Sequence, residues 1–354
     1  MSTAVPTRVR PVLGAVESTN RPLTLSRLAL VAVALCFGAL RLAGVSLSLS
    51  TQAAIYLFGM VALNLPHGGY EHFANLRRRR LAFRWRYLGL YLALVAAFVG
   101  LFVLAPVAGL ALAIGVAVAK GGHGGLRVLD ATTGTDHLDS HVQRALAVAV
   151  RGGAVMALPI FFWPGVFQAF SHAMVAIFEP GALAEYAAYF GTTRWLVGGG
   201  WALAAVTHVG LGYVRGGSSS WLADAGETFL LGVYFAVVPV VVAVGLYFPL
   251  WYSTRQVGRD VALDSRRGTG GPDLLAFEDP QRVALVTWGL LLAGAILTFA
   301  IAGLLYQFAP NPLGTASPLV GGVAFWSVFV SIIALPHVVV GGWLDSQQGI
   351  WMVP

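Results

Sequence analysis

Three of the eight histidines in this sequence stand in settings suited to metal chemistry. His67 lies between a proline and two glycines, His123 has two glycines on each side, and His337 follows a proline. Each lies near one end of an apolar run. Neutral imidazoles gathered in an apolar site are ligands that iron, copper or zinc commonly take. These histidines are candidate metal ligands, with hydrogen-bonded packing residues of a membrane helix as the alternative.

The other histidines carry weaker signals. His172 and His208 lie in apolar surroundings without a supporting motif, which favours a structural role. His137 and His141 have the four-residue spacing that can bind a metal on a helix. Their polar surroundings instead favour a solvated loop.

The composition places these histidines in a membrane protein. Of the 354 residues, 57% are hydrophobic and only 10% are charged, whereas soluble domains have about 25% charged residues. This excludes a disordered chain and an ordinary cytosolic enzyme, and predicts an all-α, polytopic helical membrane protein. The net charge of +7 comes largely from arginines between apolar runs, so it indicates topology and we expect no nucleic-acid partner. Cys36 is the only cysteine, which excludes an intrachain disulfide.

The apolar runs predict about ten membrane segments. They cover residues 28–47, 52–67, 87–104, 107–119, 145–162, 166–178, 195–213, 229–251, 283–308 and 319–343. Arginines at 77–80 and 255–267 mark two loops as cytoplasmic, which requires an even number of crossings between them. That requirement favours counting 166–178 as a span, although a re-entrant segment with nine spans is the alternative.

These runs also predict the domain organisation. We expect residues 1–24 to form a disordered cytoplasmic tail, because this stretch is too long and polar for a cleaved signal peptide. Residues 25–345 would form a single helical membrane domain with a polar cytoplasmic loop at 253–282. Residues 346–354 would form a second tail. Both termini are then cytoplasmic, and the protein is a multi-pass protein of the cell membrane.

This topology places the candidate ligands at one depth. The second, fourth, eighth and tenth segments would all run from outside to inside. His67, His123, Trp251 with Tyr252, and His337 lie near the inner ends of these segments. We therefore expect His67 and His123 to approach each other.

Three motifs resemble the Brp/Blh family of membrane β-carotene 15,15′-dioxygenases, which supply retinal to microbial rhodopsins. Residues 66–69, Pro-His-Gly-Gly, resemble an early Pro-His-Gly-Ala motif. Residues 245–256 resemble a segment that leads through Leu-Tyr-Phe to Trp-His-x-x-Arg-His, and residues 335–337 resemble a late Leu-Pro-His motif. His123-Gly124 and Arg151-Gly152 match more weakly.

The resemblance covers most of residues 52–343. It implies cleavage of the central 15,15′ double bond of β-carotene, or a related carotenoid, by O₂ with Fe(II), giving retinal. It assigns His67 and His123 as iron ligands. Tyr252 and Gln256 stand where the family has two further ligand histidines, and neither replaces a neutral imidazole well. Either His337 or His72 completes a rearranged site, or the iron has been lost.

Aromatic residues are candidates for lining a substrate tunnel. Because the implied substrate is a long hydrocarbon that dissolves in the lipid bilayer, it would enter an embedded site sideways. The candidates are Tyr70, Tyr247, Phe248 and Trp251, with Phe73, Trp163 and Tyr234 as further ones. Ordinary packing or an interfacial aromatic belt is the alternative for any one of them.

Four functions fit these observations to different degrees. A carotenoid-cleaving dioxygenase is favoured by His67 and His123. A non-catalytic relative that binds a carotenoid or retinal, or assists a rhodopsin, is favoured by Tyr252 and Gln256. A di-iron oxygenase lacks the expected His-His pair, and a transporter lacks a clear substrate-ion site. We predict the dioxygenase, with the carotenoid, O₂, the bilayer and a microbial rhodopsin as its partners.

Overall fold

The structure, a computed structural model, describes residues 9–64, 85–267, 280–314 and 317–347. Within these residues the secondary structure is helical throughout, without a strand, which confirms the predicted all-α class. The helices are α1 (Val9–Leu42), α2 (Leu49–Leu57), α3 (Trp85–Leu104), α4 (Pro106–Ala131), α5 (His141–Phe162), α6 (Pro164–Ala176), α7 (Phe190–Val214), α8 (Ser219–Val237), α9 (Val240–Tyr247), α10 (Thr254–Arg267), α11 (Pro280–Phe308) and α12 (Pro318–Gln347).

Two π-helical segments interrupt the regular helices. Phe58–Leu63 continues α2, and Phe248–Ser253 joins α9 to α10. A 3₁₀ turn at Ala184–Tyr189 leads into α7. Short π-helical segments occur frequently at functional sites, so both segments direct attention to the residues around them.

Length and apolarity support five membrane spans among the described residues. They are Arg21–Leu42, Pro106–Ala131, His141–Phe162, Ala184–Val214 and Pro318–Val339, and Leu49–Leu63, Gly89–Leu104 and Thr298–Phe308 are shorter apolar helices. The count of ten is not confirmed. The α6 helix has 13 residues and is about 20 Å long, less than the roughly 30 Å hydrocarbon core of a bilayer.

Capping residues and prolines set several helix boundaries. Ser140 and Ser218 cap α5 and α8, because each side-chain oxygen accepts a hydrogen bond from a backbone N–H in the first turn. The segment predicted at 229–251 is broken instead between α8 and α9. Val238 is extended there and Pro239 cannot continue the helix.

Helices α1 and α4 pack against the segment that carries the family-like motif. The α10 helix packs against α1 and α4, and α5 packs against α4, α7 and α8. Tyr234, Phe235, Tyr247 and Trp251 form one hydrophobic cluster with Leu30 of α1. A second cluster surrounds α12, which packs against α2, α3, α4 and α6.

The polar tail and the polar loop predicted from the sequence are both more helical than expected. The α1 helix begins at Val9, within the segment 1–24 predicted to be a tail. The predicted loop 253–282 contains α10, and its first turn buries Arg255 and Gln256. Polar side chains can be buried in this way because they find partners, which are described below.

Candidate functional site

A group of charged side chains lies inside the helix bundle where α1, α5, α8 and α10 meet. We call it the ionic cluster, and its members are Arg27, His137, Arg151, His208, Asp224, Glu227 and Arg255. Arg27 is partly exposed, and the other six side chains are buried. Charges are expensive to bury unless they are paired and hydrogen-bonded, so the pairing decides whether this arrangement is stable.

Glu227 is the common partner of three arginines. Arg255 donates from Nη2 to Oε2 at 2.8 Å, and its Nη1 lies 2.8 Å from Oε1. Arg27 of α1 donates to Oε1 from Nη2 at 2.7 Å and from Nε at 3.1 Å. Arg151 of α5 donates to Oε2 at 3.0 Å. One carboxylate on α8 thus links helices α1, α5 and α10.

Asp224 pairs with one arginine and two histidines. Arg151 donates to Oδ1 from Nε at 3.0 Å and also from Nη2. His137 and His208 place their Nε2 atoms 2.9 and 3.0 Å from Oδ2. A carboxylate only accepts, so both histidines donate from Nε2. In the neutral form His137 Nδ1 then accepts from Ser220, 3.2 Å away, whereas His208 Nδ1 has no partner among the described residues.

The ionic cluster keeps both carboxylates ionised. Asp224 and Glu227 lie on α8 before the apolar segment that begins at Phe229. Burial alone would raise the pKa of Asp224, but Arg151 and the two histidines lower it far below its usual range. Burial acts in the same direction on Glu227, and the three arginines outweigh it and lower the pKa of that carboxyl.

The positions where the family has histidines lie against the turn that carries His123. The Gln256 amide donates to the Gly124 carbonyl at 3.3 Å. A Cβ atom at Gly124 would lie 2.6 Å from Cε2 of the Tyr252 ring, so only glycine admits Tyr252 at this distance. Arg151 of the ionic cluster lies beside Gly125 on the same turn. The structure therefore brings Tyr252, Gln256 and the His123 turn together.

A hydrogen bond joins the ends of the two π-helical segments. Ser253 donates to the side-chain oxygen of Asn64 at 2.8 Å. The α9 helix also approaches this chain closely: a Cβ atom at Gly59 would overlap the Gly245 carbonyl, and a Cβ atom at Gly245 would overlap the backbone of Tyr56 in α2. Asn64 stands three residues before His67 in the sequence.

The described histidines of the predicted metal site have hydrogen bonds that fix their tautomers. His123 Nδ1 lies 3.0 Å from the Ala119 carbonyl, and His337 Nδ1 lies 2.9 Å from the Ile333 carbonyl. A carbonyl only accepts, so each Nδ1 carries a hydrogen and Nε2 carries the lone pair in the neutral ring. Ligand histidines commonly have this arrangement, so the donor chemistry of both rings fits an iron ligand.

These histidines occupy different surroundings. His123 is exposed, whereas its neighbours Gly122 and Gly124 are buried. His337 is half-buried and lies edge-on to Tyr91 of α3, with ring centroids 5.7 Å apart. Across the part of the chain that the structure describes, no three histidine, cysteine or acidic side chains gather closely enough to hold a metal ion. His67, Tyr70, His72 and Phe73 lie outside the described residues.

Three of the predicted tunnel aromatics, Tyr234, Tyr247 and Phe248, lie in a continuous row of rings. Tyr234, Phe235, Tyr247, Phe248 and Tyr252 contact one another in that order, with successive ring centroids 5.2–6.0 Å apart. Tyr247 is buried and Phe248 is half-buried. Buried Trp251 instead lies under the Arg255 guanidinium, which is 4.3 Å from the ring centroid. The row runs from α8 to the residue beside His123.

Sequence reasoning missed the ionic cluster. His137 was expected on a solvated loop, yet it is buried against Asp224. The sequence did contain a signal: Arg151 lies within an apolar run, and Asp224 and Glu227 lie just before the apolar run that begins at Phe229. Charged residues in or beside membrane segments usually pair with one another. His208 does have the structural role expected of it, as a buried hydrogen-bonded residue.

Comparisons with known proteins identify the family of the chain. A family model described as beta-carotene 15,15′-dioxygenase matches residues 58–345. The chain is 56% identical over 339 residues to a protein of Halobacterium salinarum named as a probable beta-carotene 15,15′-dioxygenase Brp, covering 94% of both chains. It is 33% identical over 339 residues to the probable beta-carotene 15,15′-dioxygenase Blh of the same species, covering 94% of this chain and 95% of that one. No solved structure matches it. The chain therefore belongs to the β-carotene 15,15′-dioxygenase family.

Proposed function

We propose that this protein cleaves the central 15,15′ double bond of β-carotene, or of a related carotenoid, with O₂ to give two molecules of retinal. The observation that carries the proposal is the agreement between the family match and the geometry. The match covers residues 58–345, and within that range the positions of the family-like motif, Tyr252 and Gln256, pack beside the His123 turn.

Iron is the proposed cofactor. His67 and His123 would hold Fe(II), with His337 as the third ligand. The support is the Nδ1 hydrogen bond of His123 and of His337, which presents Nε2 as the donor atom. When bound, iron would supply the activation of O₂ that the cleavage requires.

The chain's own residues would bind and orient the polyene. The carotenoid is as apolar as the lipid that dissolves it, so its entry into the protein from the bilayer costs little desolvation. The aromatic row from Tyr234 to Tyr252 offers flat apolar surfaces that lead towards His123. Tyr70, Tyr247, Phe248 and Trp251 are the proposed lining residues, and the aldehyde products would leave into the bilayer, where a microbial rhodopsin could take up retinal.

We further propose ten membrane segments with both termini cytoplasmic. The arginines at 77–80 and 255–267 support this topology, since cytoplasmic loops are rich in arginine and lysine. Reporter fusions placed after Arg80 and after Arg267 should both give a cytoplasmic signal. Opposite signals at these two positions would overturn the ten-segment topology and favour a re-entrant 166–178.

Cells that synthesise β-carotene provide the test of the activity. Expression of the wild-type chain should reduce β-carotene and produce retinal, and the purified protein should contain iron. The activity proposal fails if the folded protein is present in the membrane and β-carotene remains unchanged.

One observation favours a second candidate, a relative that binds a carotenoid or retinal without cleaving it. The Gln256 amide donates to the Gly124 carbonyl, and Tyr252 packs against Gly124, so both altered positions already make protein contacts. This candidate predicts a purified protein that retains a polyene, contains no iron and produces no retinal.

A further inference from the structure

We propose that Glu227 is a positioning residue for the reaction, which acts through Arg255 to hold Tyr252 and Gln256 against the His123 turn. The inference rests on the proposed dioxygenase function. Glu227 lies on α8 and contacts neither the His123 turn nor the predicted metal ligands in the described contacts. Its influence would pass through the Arg255 guanidinium, which it contacts with both carboxylate oxygens.

Arg255 depends on Glu227 more than the other two arginines do. Arg151 has Asp224 as a second carboxylate partner, and the Arg27 side chain is 36% exposed and can be solvated by water or headgroups. Arg255 is 1% exposed, and Glu227 is its only carboxylate partner among the described residues. Removing one partner of a buried ion pair leaves the other charge uncompensated. Losing the Glu227 charge should therefore displace Arg255 first.

A displacement of Arg255 would move the residues beside His123. Arg255 directly precedes Gln256 and follows Tyr252 by three residues, so all three lie within about one turn where the π-helical segment Phe248–Ser253 continues into α10. The guanidinium also covers the Trp251 ring. On the opposite side, this turn is fixed to α4 by the 3.3 Å Gln256–Gly124 hydrogen bond and by the Tyr252 contact with Gly124.

The sequence pattern agrees with this role. Arg255 stands at the arginine of the family's Trp-His-x-x-Arg-His motif, and Arg151 stands where an Arg-Gly pair is common. Both arginines donate to the same carboxylate oxygen, Oε2 of Glu227. Arg255, the arginine of the motif, is therefore present and paired with Glu227, although Tyr252 and Gln256 replace both histidines of the motif.

The test compares pair removal with a matched control. Glu227→Gln alone leaves the Arg255 charge buried and unpaired, which should lower the free energy of unfolding. The double variant Glu227→Gln/Arg255→Gln removes one charge of each sign. Asp130→Asn/Arg144→Gln is the control, because it also removes one charge of each sign, but from a partly exposed pair outside the ionic cluster. The measurements are kcat and KM for retinal formation per folded molecule, and hydrogen exchange of the peptide 248–259 without substrate.

We expect the double variant to lower kcat by roughly 10- to 100-fold with KM unchanged, because small displacements of reacting groups are costly. Exchange in 248–259 should be faster in the double variant, and Asp130→Asn/Arg144→Gln should match the wild type in both measurements. Wild-type kcat per folded molecule in the double variant, or unchanged exchange in 248–259, would overturn the proposal. If the wild type itself makes no retinal, the dioxygenase function fails, and the exchange comparison still decides whether Glu227 positions α10.

Discussion

Ser253 donates a 2.8 Å hydrogen bond to Asn64, and this contact joins the ends of two π-helical segments that are 189 residues apart in the sequence. Ser253 follows Tyr252, and Asn64 precedes the Pro66-His67 motif. The contact therefore joins the chain just before the Pro66-His67 motif to the residue next to Tyr252, which is one of the altered ligand positions. Among the described contacts, it is the most direct link between the two motifs.

Ser253→Ala should weaken this link. The loss of one net hydrogen bond costs about 0.5–1.5 kcal/mol of unfolding free energy, and retinal formation per folded molecule should also fall because the two segments are no longer joined. Thermal unfolding in detergent and a retinal assay measure the two effects. Ser331→Ala is the control, since the Ser331 hydroxyl bonds only to a carbonyl of its own helix. Equal activities of the two variants would argue against a functional link.

Tyr252→His with Gln256→His should raise iron content and retinal yield together. Two imidazoles would then adjoin His123 in place of weaker donors, and stronger donors better offset the cost of removing water from the ion. Metal analysis of the purified protein and retinal yield in β-carotene-producing cells are the measurements.

Tyr189→His is the control for this pair, because Tyr189 is exposed on the 3₁₀ turn before α7. It should leave iron and retinal at the wild-type level. A wild type that already binds stoichiometric iron and makes as much retinal as the double variant would contradict the prediction. Ligation by His337 or His72 would then be the explanation to test.

Asp224→Asn should be strongly destabilising. It leaves the buried Arg151 charge with fewer acceptors and disrupts the hydrogen bonds of His137 and His208, and removing one partner of a buried pair costs about 3–5 kcal/mol. Asp130→Asn is the matched control, because the Asp130–Arg144 pair is partly exposed and should contribute about 0–1 kcal/mol. Thermal unfolding in the same detergent measures both. Similar losses in the two variants would refute the special role of the ionic cluster.

The stabilisation by Asp224 should depend on pH only in acid. The folded state lowers the pKa of this carboxyl, so the folded state binds its proton less readily than the unfolded state. The stabilisation is then fully present above the unfolded pKa of about 4 and is lost as pH falls below it. The difference in unfolding free energy between wild type and Asp224→Asn should be constant from pH 7 to about pH 5 and shrink below pH 4. A difference that already shrinks near pH 6 would contradict the assignment of this pH dependence to Asp224.

The sequence predicted the class of fold for identifiable reasons, and the packing of the family-like motif against the His123 turn agrees with one of its expectations. Apolar runs separated by arginines predict helices because lipid forces the backbone to satisfy its own hydrogen bonds. Motif order placed Tyr252 and Gln256 in one site with His123, and their packing against Gly124 agrees with that expectation. These signals are local or lie in short motifs, which a single sequence retains.

The ionic cluster could not be predicted in the same way. Arg27, Arg151 and Arg255 pair with one carboxylate only because α1, α5 and α10 meet α8 at Glu227. That meeting depends on tertiary packing between residues up to 200 positions apart. The break at Val238 and Pro239 was also hidden, because the apolar run continues through it and apolarity alone does not report backbone direction.

His123→Ala should lower iron content and retinal yield without unfolding the protein. The imidazole is exposed, and its hydrogen bond goes to a carbonyl of its own helix, so truncation should change the unfolding free energy by no more than about 0.5 kcal/mol. Loss of a residue that only supports a metal ligand lowers metal affinity by roughly 10- to 100-fold. Loss of the ligand itself should lower the affinity for iron at least as much. His141→Ala is the matched control, since His141 is also exposed and was assigned to solvent. His67→Ala should abolish the activity. If the wild type contains iron and His123→Ala retains the same iron content and retinal yield, His123 is not a ligand, and the iron site must lie around His67 without it.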